Sequence, residues 1–100
     1  MYIKLDKINE SDLYVSYEFE ISVQGESYFS LSGKIRYQIK KIYGYCKFNK
    51  QTEEFELDRE KTDPYFTEKS REVIKVQYSL IKRRRDNLGY PDSIEIIVPG

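Results

Sequence analysis

Two runs of strict alternation, Leu13-Val15-Tyr17-Phe19-Ile21-Val23 and Phe29-Leu31-Gly33-Ile35-Tyr37-Ile39, limit what this chain can become. Each places an apolar residue or glycine at every odd position, and between them, Tyr14 and Tyr28 apart, stand polar or charged residues. A period of two gathers the odd residues on one face of a strand, so the runs predict long antiparallel strands with one dry and one wet face.

Residues paired across a hairpin must share a face, which selects the register. A two-residue Gly25-Glu26 turn would set Val23 against Tyr28, whereas a three-residue Gly25-Glu26-Ser27 loop sets Val23 against Phe29. The odd loop is the expectation, with Phe19 over Gly33 and Glu18 beside Lys34. A two-residue turn at Ser32-Gly33 would pair Leu31 with Lys34 and fails the same test. Further on, a four-residue loop at Lys50-Gln51-Thr52-Glu53 predicts a second hairpin with Phe48 opposite Phe55, Cys46 opposite Leu57 and Lys47 opposite Glu56. The stretch through Lys40-Lys41 has poor turn chemistry, which leaves open either a connection there or one bent strand with a bulge near Gly44. Ile3 and Leu5 suggest a first strand followed by a turn at Asn9-Glu10-Ser11-Asp12.

The period changes at Asp63-Pro64, a good N-cap followed by a good first helical residue. Phe66, Val73, Ile74, Tyr78 and Ile81 follow steps of three and four, with Val76 and Leu80 widening the stripe. Gly89 and Pro91 mark the stop. A helix from Pro64 to about Leu88 would span roughly 37 Å, about the length of an eleven-residue strand. The expected fold is therefore one α+β domain over residues 1–100, with about five meander-like antiparallel strands and one long helix packed on the dry face. Ser93 to Val98 reads as a last strand or an extended tail.

Composition excludes more than it assigns. The chain carries 17 basic and 17 acidic side chains, and a pI of about 6.3 gives no global bias toward nucleic acid or an anionic membrane. With no histidine, the commonest general base, the usual triads and most zinc sites are removed. One cysteine makes neither an internal disulfide nor a thiolate cluster, and the five glycines, at 25, 33, 44, 89 and 100, form no phosphate loop. Cys46 reads as a small core hydrophobe. No catalytic, cofactor-binding or metal-ligating residue is assigned, and the expectation is a non-enzymatic, cytosolic protein without a membrane segment.

Three surface features remain. Glu54, Glu56 and Asp58 alternate to one side of a strand as an acidic stripe, suited to a basic partner unless Lys47 neutralises it. Tyr17, Tyr37 and Tyr78 read as core, whereas Tyr14, Tyr28, Tyr43 and Tyr45 point to the polar side, and tyrosine is favoured at protein interfaces. Lys82-Arg83-Arg84-Arg85 offers an alternative nucleic-acid patch, but cations in the last turns of a helix also complement its negative end, with Asp63 and Glu68 as matching acids near its start.

With its strand-rich, Tyr- and Glu-rich first two thirds, Asp63-Pro64-Tyr65-Phe66 opening a helix and Gly89-Tyr90-Pro91 closing it, the chain resembles small immunity proteins of bacterial polymorphic-toxin and contact-dependent inhibition systems. The resemblance implies a protein without catalytic residues that binds a cognate toxin domain and blocks its active site or an accessory surface. Many inhibitors of basic nucleases are acidic. This chain is neutral, so a contact of that kind would rest on a local patch.

Overall fold

The computed structural model describes residues 1–99. Its elements are β1 (Tyr2–Glu10), β2 (Tyr14–Phe29), β3 (Ile35–Asn49), β4 (Phe55–Leu57), α1 (Arg71–Arg85) and β5 (Ser93–Ile97). The strands form one antiparallel sheet in the order β4-β3-β2-β1-β5, with α1 on one face, so the α+β two-layer architecture holds. The last segment is a strand: β5 pairs with β1, Leu5 opposite Ile94 and Ile3 opposite Ile96. Among the described residues no helix is long and apolar enough to cross a membrane.

The core follows the first alternating run. Val15, Tyr17, Phe19 and Ile21 of β2 are buried with Ile3 and Leu5 of β1, and with Ile42, Cys46 and Phe48 of β3, under Val73, Val76 and Leu80 of α1. The β3–β4 hairpin has the register read from the sequence, with Phe48 opposite Phe55, Lys47 opposite Glu56 and Cys46 opposite Leu57. Its turn is held by the buried Asn49, whose Oδ1 accepts the Gln51 and Thr52 N–H groups at 2.8 and 3.0 Å.

The long hairpin departs from the expected register. Gly25 and Glu26 do not turn the chain; together they oppose the single residue Gln38 as a β-bulge, between the pairs Gln24–Ile39 and Ser27–Tyr37. Glycine suits the site because a Cβ at Gly25 would stand 3.1 Å from the Gln38 carbonyl oxygen. The true turn is Leu31-Ser32-Gly33, closed by Gly33 N–H to the Ser30 carbonyl and Ser30 N–H to the Lys34 carbonyl, both at 2.9 Å, with Gly33 at φ +78°. This is a three-residue loop with glycine in the left-handed position, and it pairs Phe29 with Ile35. An odd loop satisfies the same parity test at either place.

Parity then inverts. Val23 meets Lys40 rather than Phe29, Glu18 meets Tyr45 rather than Lys34, and Phe19 covers Gly44 rather than Gly33. β3 runs unbroken through Lys40-Lys41 and Gly44, so there is neither a turn nor a bulge at those residues. Its core-facing residues are even-numbered, whereas Ile35, Tyr37 and Ile39 alternate onto the face away from the helix. The second apolar run is consequently outside the core: Phe29, Leu31, Ile35, Tyr37 and Ile39 are all exposed.

The helix is also shorter than expected, 15 residues rather than a span from Pro64 to Leu88. Asp63 opens a turn instead: its Oδ1 accepts the Tyr65 N–H at 2.9 Å and its carbonyl the Phe66 N–H at 3.0 Å. That turn delivers Phe66 edge-on to Phe19 at 5.0 Å, and the helix starts only after Ser70. It ends before Gly89. Asn87 takes the left-handed conformation (φ 58°), its N–H reaching the Arg84 carbonyl while Leu88 N–H reaches that of Arg83, a Schellman closure. Ile74 and Tyr78, expected in the buried stripe, are exposed on the far side of α1. At the other end β1 continues through Glu10, so the first turn lies at Ser11 to Leu13, with Ser11 N–H on the Tyr14 carbonyl at 2.7 Å.

Candidate protein-binding face

The sheet face away from α1 collects even-numbered residues of β2, odd-numbered residues of β3 and Glu56 of β4. A second bulge, in β1 between Lys7 and Asn9, adds Ile8 to its rim. The result is a trough of about 510 Å³ across the sheet, lined by Ile8, Ser16, Tyr45, Lys47, Glu56 and Asp58 among others. A second hollow of about 430 Å³ adjoins it through Lys47 and Glu56, and is lined by Tyr14, Asn49, Glu54 and Phe55 as well.

Of the seven residues singled out for partner contact, Tyr14, Tyr45, Glu54, Glu56 and Asp58 line these two hollows. Tyr43 lies two residues along β3 from Tyr45 on the same face. Tyr28 does not belong with them. Opposite Arg36, beyond the Gly25-Glu26 bulge, it alternates to the helix side of the sheet, far along the long hairpin.

Lys47 stands opposite Glu56, as expected, but makes no ion pair with the acidic stripe. Its Nζ stands 4.1 Å from the centre of the Tyr14 ring, and among the described residues no ion pair reaches Glu54, Glu56 or Asp58. Asp58 has a local task as well, its Oδ1 accepting the Glu60 and Lys61 N–H groups at 3.1 and 3.3 Å. Tyr45 is opposite Glu18, and that carboxylate, with some burial, raises the tyrosine pKa, keeping its hydroxyl a donor. The trough thus offers aromatic rings, hydroxyl donors and carboxylates held in no ion pair, with Lys47, Arg59 and Lys61 also in its lining, a chemistry suited to polar and charged contact with a protein surface.

The basic run is largely committed within the fold. Arg84 donates from Nε to the Lys50 carbonyl at 2.7 Å and from Nη2 to that of Gln51 at 2.9 Å. Arg85 grips both carboxylate oxygens of Glu53 at 3.0 Å each. The acid that answers these cations is therefore Glu53 in the β3–β4 turn, held at φ 65°; Asp63 and Glu68, expected near the helix start, both precede it, the acid in its first turn being Glu72, and Glu68 pairs with Arg59. Arg83 is half-buried, and Lys82 alone of the four is exposed without an ion pair among the described residues. Beside this clamp, Glu10 accepts Lys7 and Lys50 at 2.8 Å each, tying the first turn to the β3–β4 turn.

Sequence reasoning missed the part played by the β1 bulge at Ile8, since no glycine or proline marks it. It also missed Thr62, whose buried Oγ1 accepts the Tyr45 N–H at 3.0 Å and so fixes the trough wall. Cys46 lies beneath the trough floor, and burial pushes its thiol up to about 12, the behaviour of an inert core residue. No family model, curated protein or solved structure matches this chain.

Proposed function

We propose that the chain is a non-catalytic protein-binding module, an immunity protein that neutralises a toxin domain by covering a cationic surface with its trough. The observation that carries the reading is the convergence of Tyr14, Tyr45, Glu54, Glu56 and Asp58 on two adjoining hollows, where these three acids make no ion pair among the described residues. Like charges along one face of a strand repel each other, and docking of a basic partner relieves that repulsion. Tyrosine rings supply contact area at low entropy cost, and their hydroxyls supply donors. The layout resembles that of immunity proteins, and the resemblance supports the toxin as the class of partner.

The test is co-purification with the product of the toxin gene adjoining this coding segment, followed by association kinetics on the complex. Glu54→Lys with Glu56→Lys should slow association by about tenfold or more, most at low salt, while Tyr45→Ala should speed dissociation. Unchanged kinetics in both variants would remove the trough from the interface, and absence of any complex would remove the immunity reading. The nucleic-acid alternative is the weaker one, because Arg84 and Arg85 hold the β3–β4 turn.

A further inference from the structure

The outer half of the β2–β3 hairpin stands apart from the trough. The molecule measures 55 Å along its longest axis against 28 and 23 Å across, and the excess length is the stretch from Gln24 to Lys41. β1 pairs with β2 only as far as Glu20, so both edges of this stretch are open. The β2 edge is broken by the Gly25-Glu26 bulge, a device that spoils an edge for further pairing. The β3 edge has no such break, since Ile35 to Asn49 form one strand without a proline.

The inner half of the same edge shows how it pairs. β4 lies along it with apolar residues opposite Phe48 and Cys46 and with Glu56 opposite Lys47. The chain then continues down the edge. Asp58 N–H reaches the Tyr45 carbonyl at 2.8 Å, Tyr45 N–H reaches Thr62 Oγ1 at 3.0 Å, and Asp63 N–H reaches the Tyr43 carbonyl at 2.9 Å. Successive residues of a strand direct their backbone groups to its two sides in turn, so the odd-numbered residues of β3 face outward. Beyond Tyr43 the described residues lay nothing along this edge. The outward N–H and carbonyl groups of Lys41, Ile39, Tyr37 and Ile35 have no backbone partner on that side.

Side chains narrow what can pair there. Ile35, Tyr37 and Ile39 point away from the helix side and are 59%, 53% and 78% exposed. Arg36, Gln38 and Lys40 alternate onto the helix side, and neither cation has an ion pair among the described residues. Opposite charges across a ladder attract and like charges repel, so this edge calls for a strand that is apolar on one face and acidic on the other. β4 shows the pattern in miniature, apolar opposite apolar and acid opposite base. A second copy of β3 lacks it. Two copies paired antiparallel about Gln38, the centre of the open edge, would set Arg36 opposite Lys40 twice.

We infer that the β3 edge from Ile35 to Lys41 accepts an extended segment of another protein as an added antiparallel strand, one that alternates acidic with apolar residues. Its acids stand opposite Arg36 and Lys40, and its apolar residues opposite Ile35, Tyr37 and Ile39. Main-chain hydrogen bonds to the odd-numbered residues supply the affinity, and the alternating side chains supply the selectivity. The inference goes beyond the trough reading and does not rest on it, because the trough engages a partner through side chains and this edge through backbone.

The probe is a blocked heptapeptide that alternates valine with glutamate, valine at both ends, compared with the same peptide carrying lysine for glutamate. Amide hydrogen exchange of the full chain, read residue by residue by nuclear magnetic resonance, reports the binding. At peptide concentrations up to about 1 mM, within reach of a weak interaction, the glutamate peptide should slow exchange at Ile35, Tyr37, Ile39 and Lys41. The Arg36 and Lys40 amides, directed toward β2, should change little. The lysine peptide should bind about fivefold more weakly or worse at low salt, and Arg36→Glu with Lys40→Glu should reverse the preference. Ile39→Pro removes one outward N–H and no bond to β2, so it should abolish binding while the far-ultraviolet circular dichroism is retained. No binding of the glutamate peptide, equal binding of the two peptides, or protection that spares the odd-numbered amides would each overturn the inference. Protection of those amides that rises with chain concentration alone would place a second copy on the edge and overturn it too. None of these outcomes touches the trough, whose kinetic test uses other residues and another partner.

Discussion

Gly44→Ala should destabilise the protein far more than a glycine-to-alanine change in a strand ordinarily does. Alanine in a strand interior gains about 0.5–1 kcal/mol over glycine from backbone entropy alone. Here the new Cβ would overlap the ring of Phe19, which lies across from Gly44 with no exposed surface. The ring cannot swing aside, because Phe66 packs edge-on against it at 5.0 Å. Overpacking of a closed core costs about 1–3 kcal/mol, and a site without slack belongs at the upper end. Set against the backbone gain, the net loss is about 2 kcal/mol, or roughly 8–16 °C in melting midpoint for a domain of this size. Urea unfolding followed by circular dichroism should show the midpoint fall with the slope unchanged. The decisive control is the same substitution in a Phe19→Leu background. There the obstacle is gone, and Gly44→Ala should be neutral or mildly stabilising, a coupling of about 2 kcal/mol between the two positions. Gly33→Ala, by contrast, meets nothing within 4 Å and should cost only the ~1–2 kcal/mol of a left-handed backbone. Additive effects at 19 and 44, or a Gly44→Ala protein as stable as wild type, would refute the pairing and restore Gly33 as the partner of Phe19.

Thr62→Val keeps shape but leaves the Tyr45 N–H without its acceptor, an expected loss of about 1–3 kcal/mol; Thr62→Ser should recover most of it, and equal melting points for all three proteins would contradict the role. Acid should weaken the clamps at one end of the sheet. Lys50 and then Lys7 hold the Glu10 carboxyl below its usual range, and Arg85 does the same for Glu53. A carboxyl depressed in the folded state contributes its full stabilisation above the unfolded value near 4.5 and loses it as pH falls through the folded one. The melting midpoint should therefore decline as pH falls below that unfolded value, and Glu10→Gln with Glu53→Gln should flatten that decline; an unaltered acid limb would show that these pairs contribute nothing.

The fold was legible wherever alternation met a buried surface, as in Val15 to Ile21 and in the β3–β4 hairpin, whose loop length and pairing follow from Phe48 and Phe55 alone. It was not legible at Gly25-Glu26, because a bulge and a three-residue turn shift parity alike. Only the presence or absence of a core beneath Phe29 to Ile39 distinguishes them. The same limit explains the helix. Asp63-Pro64 carries the chemistry of a helix start, yet that chemistry serves equally well for an isolated turn, and the need to place Phe66 against Phe19 selects the turn.

For the candidate face, residue type and strand parity sufficed for Tyr14, Tyr45, Glu54, Glu56 and Asp58, since each lies on a strand or directly beside one, with no register shift between them. Tyr28 fails for the same reason that Phe29 and Ile35 do. It lies past the bulge, where each parity assignment reverses. That reversal has a physical meaning beyond the misplaced tyrosine. A chain whose second alternating run were needed for its own core would keep the run in phase with the first. This one inserts a residue at Gly25-Glu26 and turns Phe29, Ile35, Tyr37 and Ile39 away from the helix, where they are exposed. The bulge therefore divides the hairpin into a half that builds the core and a half whose apolar row lies outside it.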